Sequence, residues 1–211
     1  MIVMIKSNPA YRKAKFLLAV QNLEQLPDNI PYEVGFAGRS NAGKSSAINT
    51  ITGIHSLART SKTPGRTQQI VYFQLDEEHT LVDLPGYGFA KVPLKVKKHW
   101  HELMEGYFKE REALKGLVLV MDIRHPMREF DEQMLEWSHH NGTPVHILLT
   151  KADKLSKGAA SSVMLKLKKW LKEEDYTHTT IQTFSSLKRT GSETVMQKMD
   201  EWLKYPPQQK T

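Results

Sequence analysis

A glycine-rich stretch near the start of the chain carries residue types suited to binding phosphate. Residues 38–45 match the pattern G-x-x-x-x-G-K-[S/T]. The glycines let successive backbone N–H groups point at phosphate oxygens, and the helix predicted to follow adds the positive end of its dipole. Lys44 would reach the β- and γ-phosphates, and the Ser45 hydroxyl would bind Mg²⁺; the alternative is a glycine-rich turn with a chance Lys-Ser pair. The phosphate-binding candidates are Gly38, Arg39, Ser40, Asn41, Ala42, Gly43, Lys44 and Ser45.

A second group of candidates follows an apolar run at residues 80–84. A carboxylate at the end of a neighbouring strand can hold the water shell of Mg²⁺, and a glycine N–H beside it can sense the γ-phosphate. Pro-Gly is also a common turn signal, so the group gains weight from its position 38 residues after Ser45. Its members are Asp83, Leu84, Pro85 and Gly86.

Two later motifs have the residue types needed to recognise guanine. An aspartate at 153 can accept hydrogen bonds from guanine N1–H and the exocyclic amine, a pair of donors that adenine lacks, and the stem of Lys151 can pack on the ring. Backbone N–H groups at 184–186 could meet guanine O6. The alternatives are a strand-end aspartate and a Ser-Ser helix cap. The base-binding candidates are Thr150, Lys151, Ala152, Asp153, Phe184, Ser185 and Ser186.

Strands and helices are predicted to alternate around these motifs. The patterns favour strands at 15–20, 32–37, 67–75, 80–84, 116–122, 145–150 and 180–185, and helices at 45–52, 94–111, 127–140, 158–172 and 192–203. This α/β alternation predicts a mainly parallel sheet with helices on both faces, in which ligands bind at the carboxyl ends of the strands. All four motifs fall there. Their order favours a guanine-nucleotide-binding domain over a P-loop ATPase or kinase.

Composition limits the class of protein further. The 211 residues carry 30 Lys+Arg against 23 Asp+Glu, a net charge of +7 that favours anionic partners. Cysteine is absent, which excludes disulfides, iron–sulfur clusters and thiol nucleophiles. No apolar run approaches the ~20 residues of a membrane helix, so we expect a cytoplasmic protein. One domain is predicted, with an N-terminal extension at 1–30, a nucleotide-binding part at 31–204 and a flexible tail at 205–211.

The motifs GRSNAGKSS, KTPGRTQ, DLPGYGFA, TKAD and FSS together resemble the EngB (YihA/YsxC) family of bacterial ribosome-biogenesis GTPases. The resemblance runs from about Tyr32 to the last helix. It implies a single Ras-like P-loop GTPase domain, with one antiparallel strand in the sheet, that binds and hydrolyses GTP with Mg²⁺. It also implies a role in assembly of the large (50S) ribosomal subunit and a link to cell division and septation.

The resemblance also selects a nucleotide-sensing threonine. Residues 59–69 contain Thr60, Thr63 and Thr67, which spacing cannot distinguish. Similarity to the family's G-R-T-Q pattern makes Thr67 the second hydroxyl that binds Mg²⁺, in a segment expected to become ordered with GTP. That segment comprises Gly65, Arg66, Thr67, Gln68 and Gln69.

Two positions depart from the general GTPase pattern. Thr150 replaces the asparagine of N-K-x-D, as in EngB proteins, and loses an amide that braces the base pocket. Tyr87 stands where many signalling GTPases have a water-orienting glutamine, so slow intrinsic turnover with stimulation by the ribosome is expected. Asn41 resembles a residue of potassium-stimulated GTPases, which suggests a bound K⁺; the alternative is a loop residue bonded to its own backbone. The catalytic candidates are Lys44, Thr67, Gly86 and Asn41.

A lysine cluster directly after the Asp83–Gly86 motif suggests a partner. Lys91, Lys95, Lys97 and Lys98 lie in a span without acidic residues, and we interpret them as a nucleotide-controlled surface for ribosomal RNA. The alternative is a solvated helix face. The lysines at 154–172 instead accompany Leu165, Leu167 and Leu171, which suggest helix packing.

Two other function classes remain open at this point. One is a basic RNA-binding module whose nucleotide is structural, and the other is a GTPase switch acting on a cell-division partner. No membrane contact is expected, and a monomer is the default.

Overall fold

The computed structural model describes residues 8–59, 69–87 and 93–206. Its strands join in one seven-stranded sheet. In chain order they are β1 (Lys15–Val20), β2 (Tyr32–Gly38), β3 (Ile70–Gln74), β4 (His79–Asp83), β5 (Leu114–Asp122), β6 (Val145–Thr150) and β7 (Thr179–Thr183).

Five α-helices lie in the described ranges. They are α1 (Lys44–Thr52), α2 (Leu94–Glu110), α3 (Glu129–His140), α4 (Lys157–Glu173) and α5 (Ser192–Trp202). Short 3-10 turns at Pro9–Lys13, Leu23–Gln25 and Ala152–Lys154 complete the described elements. None of the helices in the described ranges has the length and apolar character needed to span a bilayer.

The strand order across the sheet is β1-β3-β4-β2-β5-β6-β7. Neighbours from β4 to β7 pair in parallel, whereas β3 is antiparallel to both β4 and β1. Among the described strands, β3 alone runs against the rest, so the predicted mainly parallel sheet with one antiparallel strand is confirmed. The carboxyl ends of β2, β4, β5, β6 and β7 therefore meet at one edge.

Apolar cores cover both faces of the sheet. Helices α1 and α5 bury Ile48 and Met199 on one face, and α2, α3 and α4 bury Met104, Met134 and Leu167 on the other. The interior strand β6 is buried at every position, as expected for a strand covered on both sides.

The structure shifts the bounds of several predicted elements, two of them for a clear reason, and it exposes one residue expected in the core. β5 begins at Leu114, two residues early, because Glu33 on β2 pairs with it. β7 ends at Thr183 because the chain then turns into a loop closed by Ser185 and Thr190. Leu165, expected in the core of α4, is 59% exposed.

Candidate nucleotide-binding site

The loop between β2 and α1 has the backbone form that a phosphate-binding loop requires. β2 ends at Gly38, where a Cβ atom would lie 2.6 Å from the carbonyl oxygen of Val120 on β5. Asn41 and Gly43 both have left-handed backbone, with φ of +62° and +102°. Glycine and asparagine adopt this conformation most readily, which explains the residue types at both positions. α1 starts directly afterwards at Lys44, so its first N–H groups face the loop.

The Asp83–Gly86 motif lies against this loop. The ammonium group of Lys44 forms an ion pair with the Asp83 carboxylate, and both side chains are largely buried. A Cβ atom on Gly86 would lie 3.7 Å from the carbonyl oxygen of Gly38 and from the N–H nitrogen of Ser40. Within the motif, Leu84 and Pro85 are buried. The structure therefore brings the first two predicted groups together.

The Ser45 hydroxyl points to the segment that precedes β3. It donates a hydrogen bond of 3.2 Å to the carbonyl oxygen of Arg59, the last residue before a gap in the described chain. Gln69, directly before β3, is half-buried. The remaining predicted sensing residues lie outside the described ranges, as does one of the lysines: Gly65, Arg66, Thr67, Gln68 and Lys91.

The predicted base-reading residues meet at the ends of β6 and β7. The hydroxyl of Ser185 donates to Asp153 Oδ1 at 2.5 Å and lowers the pKa of that carboxyl. The N–H of Ala152 donates to the carbonyl oxygen of Phe184 at 3.1 Å, which joins the two segments through the backbone. Ser186 follows, half-buried.

Residues of the Thr150–Asp153 motif also contact the phosphate-binding loop. The hydroxyl of Thr150 bonds the carbonyl oxygen of Ala42, and Lys151 Nζ donates to the carbonyl oxygen of Asn41 at 2.6 Å. All four predicted motifs thus lie at one edge of the sheet.

Asp122, which no sequence motif singled out, ends β5 at the same edge. Its carboxylate lies 2.9 Å from Lys151 Nζ and accepts two further hydrogen bonds from the Arg124 guanidinium, at 2.9 and 2.7 Å. Burial favours a higher pKa for Asp122, but these bonds outweigh it and hold the pKa well below the usual range. The rule that selected Asp83, a carboxylate at the end of an apolar strand, would have selected Asp122.

Tyr87, the residue after Gly86, is built into the protein interior. Its carbonyl oxygen accepts from the Ser40 N–H at 2.9 Å, and its hydroxyl donates to Asp131 of α3 at 2.7 Å. Burial and the charge of Asp131 raise the pKa of Tyr87 well above its ordinary value. The ring packs against Trp100 and Phe130. The hydroxyl is therefore directed into the core rather than towards a phosphate.

The same segment is bonded to α2. Trp100 Nε1 donates to the carbonyl oxygen of Pro85 at 3.2 Å. On the outer side of α2, Lys95, Lys97 and Lys98 are exposed and line an open groove of about 470 Å³ together with Trp100 and Phe130. A side chain at the floor of this groove thus contacts the Asp83–Gly86 motif directly.

Known proteins share these features. The family model of the 50S ribosome-binding GTPase matches residues 33–151, which hold the first two motifs and the start of the third. A crystal structure of a probable GTP-binding protein engB has the same fold, with a TM-score of 0.66 and 21% identity over 82% of this chain and 100% of that one. A bacterial selenocysteine-specific elongation factor, EF-Sec, aligns with a TM-score of 0.62 and 20% identity over 84% of this chain and 29% of its own. Fold and family match define a P-loop GTPase.

Curated relatives narrow the class. The probable GTP-binding protein EngB of Coxiella burnetii (strain RSA 493 / Nine Mile phase I) is 52% identical over 96% of this chain and 98% of its own length. The protein of the same name from Hydrogenovibrio crunogenus is 51% identical over 94% and 93%. This chain therefore belongs to the EngB family of GTP-binding proteins.

Proposed function

We propose that this GTPase binds GTP and GDP at the carboxyl edge of its sheet and uses GTP hydrolysis to control docking on the large ribosomal subunit during assembly. One observation carries the control step. The Asp83–Gly86 segment contacts the phosphate-binding loop through Lys44 and α2 through Trp100. A shift of this segment on contact with a γ-phosphate would therefore be transmitted to α2, the helix that carries the lysines.

In this proposal the loop at 38–45 cradles the phosphates, and Lys44 leaves Asp83 to bind the β- and γ-phosphates. The Gly86 N–H senses the γ-phosphate, and Gly65, Arg66, Thr67, Gln68 and Gln69 order around it. Asp153 accepts both guanine donors, with Ser185 orienting its carboxylate at 2.5 Å. Phe184 and Ser186 complete the base pocket.

The donor set suits a hard cation. A hydroxyl at Ser45 and a carboxylate at Asp83 are oxygen ligands of the kind that Mg²⁺ prefers, and Asp83 already pairs with a cation, Lys44. We infer that Ser45 and Thr67 would supply direct ligands and Asp83 a contact through water. When bound, Mg²⁺ neutralises charge on the phosphates during transfer.

Slow intrinsic turnover follows from the position of Tyr87. Its hydroxyl is bonded to Asp131 at 2.7 Å, so it does not orient an attacking water as a glutamine does. We propose that the ribosome supplies the missing stimulation. A K⁺ ion held by Asn41 is a second proposed source of stimulation. The alternative is that asparagine occurs at position 41 only because the backbone there is left-handed. Equal turnover in sodium and potassium buffers would exclude stimulation by K⁺.

The surface proposed to meet ribosomal RNA is the face of α2 formed by Lys95, Lys97 and Lys98, and Lys91 is a further candidate from the sequence. Lysine–phosphate contacts make affinity steeply salt-dependent. We further infer that the protein acts in the cytoplasm as a monomer, and that its link to division and septation follows from ribosome supply.

Co-sedimentation with 30S, 50S and 70S particles tests the proposal. The protein is loaded with GDP, GTP or a non-hydrolysable GTP analogue and centrifuged with each particle at two salt concentrations. We expect selective recovery with 50S in the analogue state, and loss in GDP and at high salt. Equal recovery in all nucleotide states would contradict the switch and favour an RNA-binding module with a structural nucleotide.

A further inference from the structure

A buried polar pair joins β6 to β7 behind the base-reading loop. His146 is 3% exposed and Gln182 is 9% exposed. His146 Nε2 lies 2.8 Å from Gln182 Oε1, and Nδ1 lies 2.7 Å from the hydroxyl of Thr180. An amide oxygen only accepts, so Nε2 carries the hydrogen and Nδ1 of the neutral ring accepts from Thr180. The bond from His146 therefore fixes which end of the Gln182 amide faces the loop.

The amino end of Gln182 holds the start of α5. Nε2 donates to the carbonyl oxygen of Gly191 at 2.8 Å and approaches that of Thr183 at 3.3 Å. Gly191 has a φ of +87°, and a Cβ atom there would lie 2.6 Å from Gln182 Nε2. Only glycine lets the amide come this close to the backbone. Gln182 and Gly191 form the base of the 185–190 loop, and we call this contact the loop neck.

The loop above the neck carries the residue that orients Asp153. Ser185 and Thr190 exchange two backbone hydrogen bonds of 3.1 Å. The Ser185 hydroxyl accepts from the Lys188 N–H at 3.1 Å and donates to Asp153 Oδ1 at 2.5 Å. The position of the Ser185 hydroxyl is thus set by a loop whose two ends are held at the neck.

We propose that Gln182 is a positioning residue for base recognition. By holding the loop neck, it keeps Ser185 where it fixes the plane of the Asp153 carboxylate, on which two simultaneous hydrogen bonds to guanine depend. The inference rests on the proposed function, because it takes Asp153 as the group that reads guanine. Gln182 itself does not touch the nucleotide.

The test compares GDP with IDP, whose base lacks the exocyclic amine, in binding titrations of wild type and variants. The ratio of the two dissociation constants reports the bond from that amine. Gln182→Met keeps the length and volume of the side chain but removes its bonds to His146, Gly191 and Thr183, and we expect the ratio to fall about tenfold. Thr180→Val is the matched control: it removes the other partner of His146 on the same strand and does not touch the loop, so it should keep the wild-type ratio.

Thermal unfolding of each variant separates positioning from folding. Gly191→Ala crowds the neck from the other side and retains every polar atom of Gln182 and His146, so it is a second variant in which the ratio should fall. The role of Gln182 would be overturned if a folded Gln182→Met or Gly191→Ala variant kept the wild-type ratio of the GDP and IDP dissociation constants. It would also be overturned if Thr180→Val lowered that ratio equally. Equal binding of GDP and IDP by the wild type would instead overturn base reading by Asp153, and the role of Gln182 with it.

Discussion

The hydroxyl of Thr150 bonds the backbone carbonyl of Ala42, 108 residues earlier in the chain. Thr150 is only 2% exposed, and its hydroxyl also lies 3.1 Å from the carbonyl oxygen of Met121. A Cβ atom on Gly43 would lie 3.3 Å from the same hydroxyl. The threonine that replaces the usual asparagine thus braces the phosphate-binding loop through its hydroxyl.

Removing that hydroxyl tests the brace. Thr150→Val keeps the shape but leaves the Ala42 carbonyl without this donor, which should lower the free energy of unfolding by about 1–3 kcal/mol. GDP affinity should fall as well, because the loop is no longer held. Urea unfolding and GDP titration measure both effects. Thr150→Ser retains the hydroxyl and should stay near wild type; a Val variant that matches wild type in both assays would refute the brace.

The bond between Tyr87 and Asp131 joins the nucleotide-sensing segment to α3. Tyr87→Phe keeps the ring among Trp100 and Phe130 but leaves Asp131 Oδ1 without its donor in a buried site. We expect a loss of about 1–3 kcal/mol in unfolding free energy. Intrinsic GTP turnover should change little, because the hydroxyl points into the core. A large fall in single-turnover hydrolysis without destabilisation would show that Tyr87 acts on the reaction.

His146 gives stability a defined pH dependence. Burial lowers its pKa below the ordinary value of 6.5, only partly offset by the Gln182 bond. The unfolded chain therefore binds more protons just below pH 6.5, and stability should fall with decreasing pH there by at most ~1.4 kcal/mol per pH unit. Urea unfolding from pH 7.5 to 5.5 should show a shallower slope for His146→Gln. The exposed control His178→Gln should keep the wild-type slope of unfolding free energy against pH. An unchanged slope in His146→Gln would contradict the assignment of this pH dependence to His146.

The proposed RNA contact of the α2 lysines can be tested against a matched set of lysines on α4. Reversal of Lys95, Lys97 and Lys98 to Glu should abolish salt-sensitive recovery with 50S particles. Reversal of Lys166, Lys168 and Lys169 changes the same charge on the exposed side of α4. Each set also breaks one i,i+4 ion pair, Lys98–Glu102 at 3.6 Å or Lys169–Glu173 at 3.5 Å. Equal losses for both triple variants would mean that net charge, rather than the α2 surface, drives binding.

The sequence was sufficient to predict the parts of the site that depend on local backbone conformation or on the positions of strand ends. The phosphate-binding loop is recognisable because left-handed backbone at Gly43 and a helix starting at Lys44 dictate residue types. The meeting of Asp83, Thr150 and Ser185 at one edge follows from the parallel sheet, since strand–helix alternation fixes which strand ends coincide.

Other features depend on contacts that local patterns do not encode. His146 bonds Gln182, a residue of the loop neck, across 36 residues, and nothing in the local pattern marks either side chain. The partner of Tyr87 lies 44 residues further on. The prediction of a buried Leu165 is wrong because this residue lies two positions from the buried Leu167, about 200° around the helix, and so on the opposite face.

Replacement of Asp153 by asparagine tests the proposed guanine site most directly. An asparagine keeps an acceptor for N1–H but offers an amino donor where guanine has its own amine, whereas xanthine has a carbonyl oxygen there. Calorimetric titration of Asp153→Asn with GDP and XDP should therefore show GDP affinity reduced on the order of 100-fold and XDP affinity raised above that of wild type. Unchanged GDP affinity, with no gain for XDP, would contradict the account.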